Sequence, residues 1–209
     1  MTTIKIFLVE DDPDWIRAMT AYLNSEPDLE VVGSAVSSRE AIEKARQLAF
    51  DVVLLDIQLT DYNEEGIYTA IELNDIHPAK IIMLTSMKDE SIIMQAFTAG
   101  AINYVEKTHY KELPHVIRSA CQHPRAMDAL LKDYARLKRE EQLKELTAAE
   151  REVFELIEQG FTQPQMEKKL YKTESTLKNQ VNKMLKKLGV SSRKEAVEKV
   201  RRRGLLPPK

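Results

Sequence analysis

Cysteine is almost absent from this chain of 209 residues: Cys121 is the single one, which excludes an internal disulfide framework and suits a reducing compartment. Its expected role is helix packing. Long apolar runs are missing too. The longest, such as Val52-Val53-Leu54-Leu55, fall far short of the roughly 18 residues needed to cross a bilayer. No membrane span is therefore expected. The opening Met1-Thr2-Thr3-Ile4-Lys5 lacks the charged-then-apolar character of a signal peptide, which points to the cytoplasm. Internal repeats and low-complexity tracts are also lacking. What is present suffices for real cores: 43% of residues are hydrophobic and 31% are charged.

The net charge of −2 conceals a division. Residues 1–124 hold 10 Lys and Arg against 20 Asp and Glu, whereas residues 125–209 hold 21 against 13. The halves therefore carry −10 and +8, which together give the −2 of the whole chain. Within 161–209 the basic excess steepens to 14 against 4. An acidic half joined to a basic half suggests a metal- or effector-binding module tethered to one that binds a polyanion.

The first half alternates short apolar runs, at 4–9, 30–35, 51–56, 80–85 and 101–106, with stretches of helical spacing at 13–24, 38–48, 66–75, 89–98 and 112–122. The runs are rich in Ile, Val and Leu, as strands buried on both faces should be. Five strands alternating with five helices predict a parallel sheet covered by helices on both sides. Gly33, Gly66 and Gly100 fall at predicted element edges, where turns are cheap.

His123-Pro124 marks a boundary, because the residue before proline resists helix. A charged helix is predicted over 126–143. Met127, Leu130, Tyr134 and Leu137 form a coiled-coil-like seam of about two heptads, short of the three to four that define a coil. After Leu146 the periodicity is wholly helical. Thr147 with Glu150 forms a capping-box pattern opening a helix to Gln159, which Gly160 stops. Thr162 caps a short helix to Leu170, and Thr173 caps a third over 174–188, closed by Gly189. A fourth runs from Arg193 to about Arg203, and the Pro207-Pro208-Lys209 tail is expected to fray. The predicted domains are 1–123, a linker helix in 124–145, and a helical domain over 146–209.

On the predicted strands the polar residues converge. Glu10, Asp11 and Asp12 follow strand one, Asp56 ends strand three, Thr85 ends strand four and Lys107 follows strand five. Ligands of open parallel sheets bind beyond the carboxyl ends of the strands. Acidic groups plus a lysine there could build a magnesium and phosphoryl site, since Mg2+ prefers hard oxygen ligands. Asp56 is suited to attack phosphorus, Lys107 to neutralise a phosphoryl oxygen, and Thr85 to donate to another. Taken singly, an Asp at a strand end is most often a turn former or helix cap; the weight lies in the combination.

The stretches Phe7-Leu8-Val9-Glu10-Asp11-Asp12-Pro13, Asp51-Val52-Val53-Leu54-Leu55-Asp56, Met83-Leu84-Thr85-Ser86 and Gly100-Ala101-Ile102-Asn103-Tyr104-Val105-Glu106-Lys107 resemble the receiver domain of two-component signalling over residues 4–122. The resemblance implies a doubly wound, flavodoxin-like α/β fold with Asp56 as phosphoacceptor. It also implies Mg2+ held by Glu10, Asp11, Asp56 and the backbone carbonyl of Gln58, and a switch of Thr85 and Tyr104. The family usually places proline four residues and glycine eight residues after the phosphoacceptor. Here Thr60 takes the first position, and the glycine, Gly66, comes ten after.

Residues 147–197 resemble the LuxR-type helix-turn-helix of the NarL/FixJ regulators. The resemblance is carried by Leu146-Thr147, Glu150-Arg151-Glu152-Val153, Gln159-Gly160-Phe161-Thr162, Leu170, Thr173-Glu174, Thr176-Leu177-Lys178, Val181, Lys187-Leu188-Gly189-Val190, Arg193 and Ala196. It implies an all-α domain of four helices that binds DNA. Periodicity predicts that helix 174–188 buries Leu177, Val181, Leu185 and Leu188, leaving Lys178, Asn179, Asn182, Lys183 and Lys186 largely on the other face. Such a helix can enter the major groove. By position in the motif, Lys178 and Asn182 are the expected groove contacts, with Thr176 and Asn179 beside them. Lys172, Lys183 and Lys186 are the expected phosphate contacts. Glu167, where a small residue is usual, Lys172, where an apolar one is usual, Gln180 and Gln165-Met166 depart from the family's usual residues.

Together these readings imply a transcriptional response regulator phosphorylated on Asp56 by a sensor histidine kinase, binding promoter DNA, and dimeric when phosphorylated. No enzymatic activity is expected beyond self-catalysed phosphoryl transfer to Asp56 and its hydrolysis. Two rival readings exist. A haloacid-dehalogenase-type phosphatase would carry a second aspartate two residues after the nucleophile, where this chain has Gln58. A phosphorylation-independent or protein-binding regulator would keep the fold with a divergent helix-turn-helix.

Overall fold

The protein is described by a computed structural model covering residues 3–59, 65–77, 79–86, 89–122 and 124–202; within 124–132 the side chains of 124–128, 131 and 132 lie outside it. The chain forms two compact units, one through Asp133 and one from Tyr134.

In the first unit, five parallel strands, β1 (Ile4–Val9), β2 (Leu29–Ala35), β3 (Val52–Asp56), β4 (Lys80–Thr85) and β5 (Asn103–Glu106), form one sheet in the order β2-β1-β3-β4-β5. The helices between and after them are α1 (Pro13–Asn24), α2 (Ser38–Ala45), α3 (Glu65–Ile76), α4 (Glu90–Ala99) and α5 (Leu113–Gln122), the last preceded by a 3-10 segment over Lys107–Glu112. Strand residues alternate between faces. Ile6, Leu8, Val52, Leu54, Ile82, Leu84 and Val105 pack with Met19 and Leu23 of α1 and with Leu113 and Ile117 of α5. The intervening Phe7, Val53, Leu55, Ile81 and Met83 are equally buried and belong to the opposite face.

Several boundaries shift for identifiable reasons. Helix α2 stops at Ala45, three residues before the predicted end. The amides of Gln47 and Leu48 both turn back to the Lys44 carbonyl, at 2.9 and 3.0 Å, and Phe50 then enters the core against Phe7, with ring centroids 5.2 Å apart. Strand β5 starts at Asn103 because the Ala101 amide bonds to the Ala96 carbonyl at the end of α4. Gly33 lies inside β2 and not at its edge. Ile6 pairs with Val31 but Phe7 with Gly33, so Val32 bulges from the ladder. A Cβ on Gly33 would stand 2.7 Å from Leu48 Cδ1.

Helix α6 (Pro124–Leu143) begins on the proline itself, which is tolerated where no helical amide bond is needed. Its C-terminal half belongs to the second unit. Leu143 is buried there, Arg139 makes two 2.7 Å hydrogen bonds to Glu158, and Arg151 bonds Glu140 at 2.6 Å. Of the predicted seam, Leu130 and Leu137 are exposed and Tyr134 is half-buried, while the Met127 side chain lies outside the described residues.

The second unit continues with α7 (Ala148–Glu158), α8 (Gln163–Leu170), α9 (Glu174–Leu188) and α10 (Arg193–Arg201). Predicted caps appear as hydrogen bonds. Thr147 Oγ1 accepts from the Glu150 amide while Glu150 Oε2 accepts from the Thr147 amide, and Gln165 Oε1 accepts from the Thr162 amide. Gly160 and Gly189 take positive φ after α7 and α9. Residues 203–209, including the Pro207-Pro208 tail, lie outside the described residues. The stripe of α9 needs one correction. Met184 is fully buried with Leu177, Val181 and Leu188, whereas Leu185 is only half-buried. The spacing four-three-four holds a straighter line along a helix than four-four-three.

Candidate functional site

Parallel register lines up the acidic residues. Val9 is level with Leu55, and Asp56 with Leu84, so Glu10 emerges beside Asp56. Thr85 is level with Glu106, one residue before Lys107. The chain leaves β1 for β2 on one side and continues through β3 on the other. The crevice thus opens at the carboxyl ends of β1 and β3, where these sheets bind ligands.

There Glu10 is completely buried and Asp56 nearly so. Lys107 Nζ donates to Asp56 Oδ2 at 2.8 Å and to Glu10 Oε1 at 2.9 Å. The Gln58 amide donates to Asp56 Oδ1 at 3.1 Å. Ligand atoms of Glu10, Asp11 and Asp56 lie within 4.8 Å of one another, and Asp11 is exposed. Asp12 does not join them: its carboxylate caps α1, accepting from the amides of Asp14 and Trp15. The bland expectation for an aspartate at a strand end holds for that residue.

Electrostatics leave the cluster short of positive charge. Burial pushes Glu10 up to about 7, only partly offset by the bond from Lys107, with the Asp56 charge adding to the rise. Burial likewise raises Asp56 despite Lys107. For Lys107, burial would lower the pKa, but its bonds to Asp56 and Glu10 outweigh that and raise it. One ammonium does not compensate three clustered carboxylates. Glu10 Oε2 also sits 2.6 Å from Lys107 Nζ, as an ion pair. A buried carboxylate oxygen with a spare lone pair, two further carboxylates and an open side at Asp11 fit a hard divalent cation such as Mg2+.

Of the other predicted residues, Thr85 is buried at the end of β4, and Tyr104 is half-buried on β5 beside Met83. Burial and the nearby Glu106 raise the Tyr104 phenol above its ordinary value. Most of the lengthened loop, residues 60–64, lies outside the described residues. Gly66, at its far end, presses so close to β3 that a Cβ there would stand 1.9 Å from the Asp56 carbonyl oxygen. Sequence reasoning missed Trp15, whose ring centre lies 5.4 Å from Lys107 Nζ. The available signal was a lone tryptophan just past the acidic pair.

On the second unit, Thr176, Lys178, Asn179, Asn182, Lys183 and Lys186 are all exposed along α9, opposite the buried stripe. Thr176 Oγ1 is within 2.9 Å of the capping hydroxyl of Thr173. Lys172 differs from the rest: its side chain is 21% exposed and its ammonium is 3.7 Å from Glu152. Half-buried Glu167 accepts from Gln163 Nε2 at 3.2 Å, one turn earlier on α8. No helix among the described residues is long and apolar enough to cross a membrane.

Residues 6–118 match the response regulator receiver domain, and residues 144–200 match the bacterial regulatory proteins of the luxR family. The response regulator protein VraR of Staphylococcus aureus is 32% identical over 200 residues, covering 93% of this chain and 95% of that protein. Among solved structures, the response regulator domain of Thermotoga maritima CheB superposes with a TM-score of 0.52 at 30% identity, covering 56% of this chain and 96% of that one. The Salmonella typhimurium response regulator RcsB, at 22% identity and TM-score 0.54, shares the fold over 96% of this chain and 98% of its own. The chain belongs to the two-component response regulators that join a receiver domain to a LuxR-type DNA-binding domain.

Proposed function

We propose that this protein is a cytoplasmic transcriptional regulator switched by phosphorylation of Asp56, with a sensor histidine kinase as phosphoryl source and promoter DNA as target. The carrying observation is Lys107 bridging Asp56 and Glu10 on one unit, in a chain whose other unit presents the exposed cationic and amide face of α9. A carboxylate oxygen of Asp56 attacks the phosphorus of the kinase phosphohistidine. The P–N bond breaks, and the imidazole nitrogen leaves with the bonding pair and takes up a proton. Lys107 turns from the carboxylates to a phosphoryl oxygen, and the Thr85 hydroxyl donates to another. Glu10, Asp11, Asp56 and the Gln58 carbonyl would hold Mg2+, which when bound offsets the repulsion between carboxylate and phosphoryl group. Water later cleaves the acyl phosphate, the only turnover assigned to the chain.

Tyr104 moves with Thr85 and carries the change to the face formed by α4, β5 and α5, where phosphorylated copies pair. One of the solved RcsB structures is described as two dimers bound to two parallel DNAs. In DNA recognition, Lys178, Asn179, Asn182 and Thr176 meet the major groove, while Lys183 and Lys186 hold phosphates. Lys172 joins them only by leaving Glu152. The test is gel-shift binding to genomic fragments with and without acetyl phosphate and Mg2+, alongside Asp56→Asn. Specific binding strengthened by the donor in wild type alone is the expected result. Donor-independent binding equal in the two proteins would remove phosphorylation from the mechanism, and no specific binding would remove DNA.

A further inference from the structure

Lys107 has a third neighbour besides its two carboxylates. Its ammonium lies 5.4 Å from the centre of the Trp15 ring, inside the range of about 6 Å in which an aromatic face attracts a cation. Trp15 is the sole tryptophan of the chain and sits in the first turn of α1. Its placement is held from two directions. Asp12 caps the helix by accepting from the Trp15 amide, Pro13 begins it, and the half-buried ring packs against the core shared by α1, α5 and the sheet. The acidic loop and the indole are therefore joined through the cap of α1, and Lys107 meets carboxylates and a π face together.

We propose that Trp15 is a positioning residue for Lys107, its indole face retaining the ammonium in the site when Glu10 and Asp56 are drawn to a metal ion. The proposal rests on the phosphoryl-accepting reading of the cluster. Glu10 and Asp56 are at once the hydrogen-bond partners of Lys107 and two of the three candidate metal ligands. A cation among them competes directly with the lysine for the same lone pairs. An indole face offers no lone pair to a hard cation and carries no charge that a proton can cancel, so its attraction persists in both conditions. Without it, a flexible side chain with four methylenes would be free to swing to solvent, since Lys107 already keeps 19% of its side-chain surface exposed. An aliphatic residue there would fill the space and supply no attraction, because only the ring quadrupole binds the ammonium.

Two measurements on the full chain test this. First, emission excited where tyrosine does not absorb reports Trp15 alone. Metal-free wild type and Lys107→Met should differ in intensity or wavelength, because the substitution removes a charge from the ring face. Superimposable spectra would overturn the contact. Second, the rate of Asp56 phosphorylation by acetyl phosphate should fall on the order of 3- to 10-fold in Trp15→Leu, as expected for losing a partly desolvated cation–π contact. Trp15→Phe should recover most of that rate. A rate in Trp15→Leu equal to wild type, or a Phe variant as slow as Leu with unchanged thermal midpoint, would overturn the positioning role. If Trp15→Leu does not fold, the spectra and the Phe variant still decide. Failure of the underlying reading looks different: wild type would take up no more phosphoryl group than Asp56→Asn, whatever the emission of Lys107→Met does.

Discussion

Replacing Gly66 by alanine sets two opposed energies against each other, and the structure decides which wins. Gly66 is buried in the first turn of α3, and its amide donates to the Ile57 carbonyl at 2.9 Å. Alanine in a helix is favoured over glycine by about 1 kcal/mol, so propensity alone predicts stabilisation. The new Cβ, however, would stand 1.9 Å from the Asp56 carbonyl oxygen and 2.8 Å from the Ile57 Cα, where contacts under 3.0 Å are essentially unknown. Both obstacles are backbone, and β3 is held by ladders on both sides. Relief therefore requires α3 or the Asp56–Ile57 turn to move by roughly 1 Å. Overpacking of that kind costs about 1–3 kcal/mol, and weakening the bond to Ile57 adds about 0.5–1.5 kcal/mol. The expected balance is a net loss of about 1–3 kcal/mol, a fall of roughly 3–15 °C in the unfolding midpoint of the receiver. Displacing the Asp56 carboxylate by a fraction of that movement should slow its phosphorylation about 10- to 100-fold. Thermal denaturation followed by circular dichroism and a phosphate-affinity gel with acetyl phosphate read the two effects. A variant as stable as wild type and phosphorylated at its rate would refute the close approach of α3 to the phosphoacceptor strand.

Three further predictions concern the helical unit. Glu150, buried, joins the cap of α7 to Lys187 of α9 through bonds of 2.8 Å from the Thr147 amide and 2.6 Å from Lys187 Nζ. Glu150→Ala should therefore cost about 1–2 kcal/mol in chemical denaturation; no change would mean that this junction contributes nothing. Burial would raise the Glu150 carboxyl, but the bonds from Lys187 and Thr147 outweigh it and hold the pKa below the ordinary 4.5. A depressed carboxyl favours the folded state above pH 4.5, and that contribution is lost as pH falls through the lowered value. Glu150→Gln should flatten this part of the acid-unfolding profile, and an unaltered slope would contradict the assignment. Tyr171, almost fully exposed, ends α8 at φ +52, a conformation costing about 1–2 kcal/mol for a residue with a Cβ. Tyr171→Gly should raise stability by up to about 1 kcal/mol after glycine's greater unfolded-state entropy is counted; a loss would show that the tyrosine ring contributes to the fold.

Apolar periodicity and capping chemistry are local, and they made the strands, most helix ends and the boundary glycines legible in the sequence. Thr147 with Glu150, Thr173, Gly160 and Gly189 stand where their side chains, or the lack of one, dictate. The site's membership was legible for a related reason. A parallel sheet brings every strand's carboxyl end to one edge, so Glu10, Asp56 and Lys107 meet there although remote in the chain, and Thr85 ends its strand at that same edge. Tertiary packing decided the rest. It drew Asp12 out of the acidic group to cap α1, and it placed the Trp15 ring beside Lys107. It set Gly66 against the Asp56 carbonyl, bent β2 at Val32, chose Met184 over Leu185 for the core, and turned Lys172 toward Glu152. These outcomes depend on distances between residues remote in sequence, set by how side chains of particular volume fill the space between a twisted sheet and its helices. A linear pattern carries the period of an element but not the angle at which its neighbours meet it.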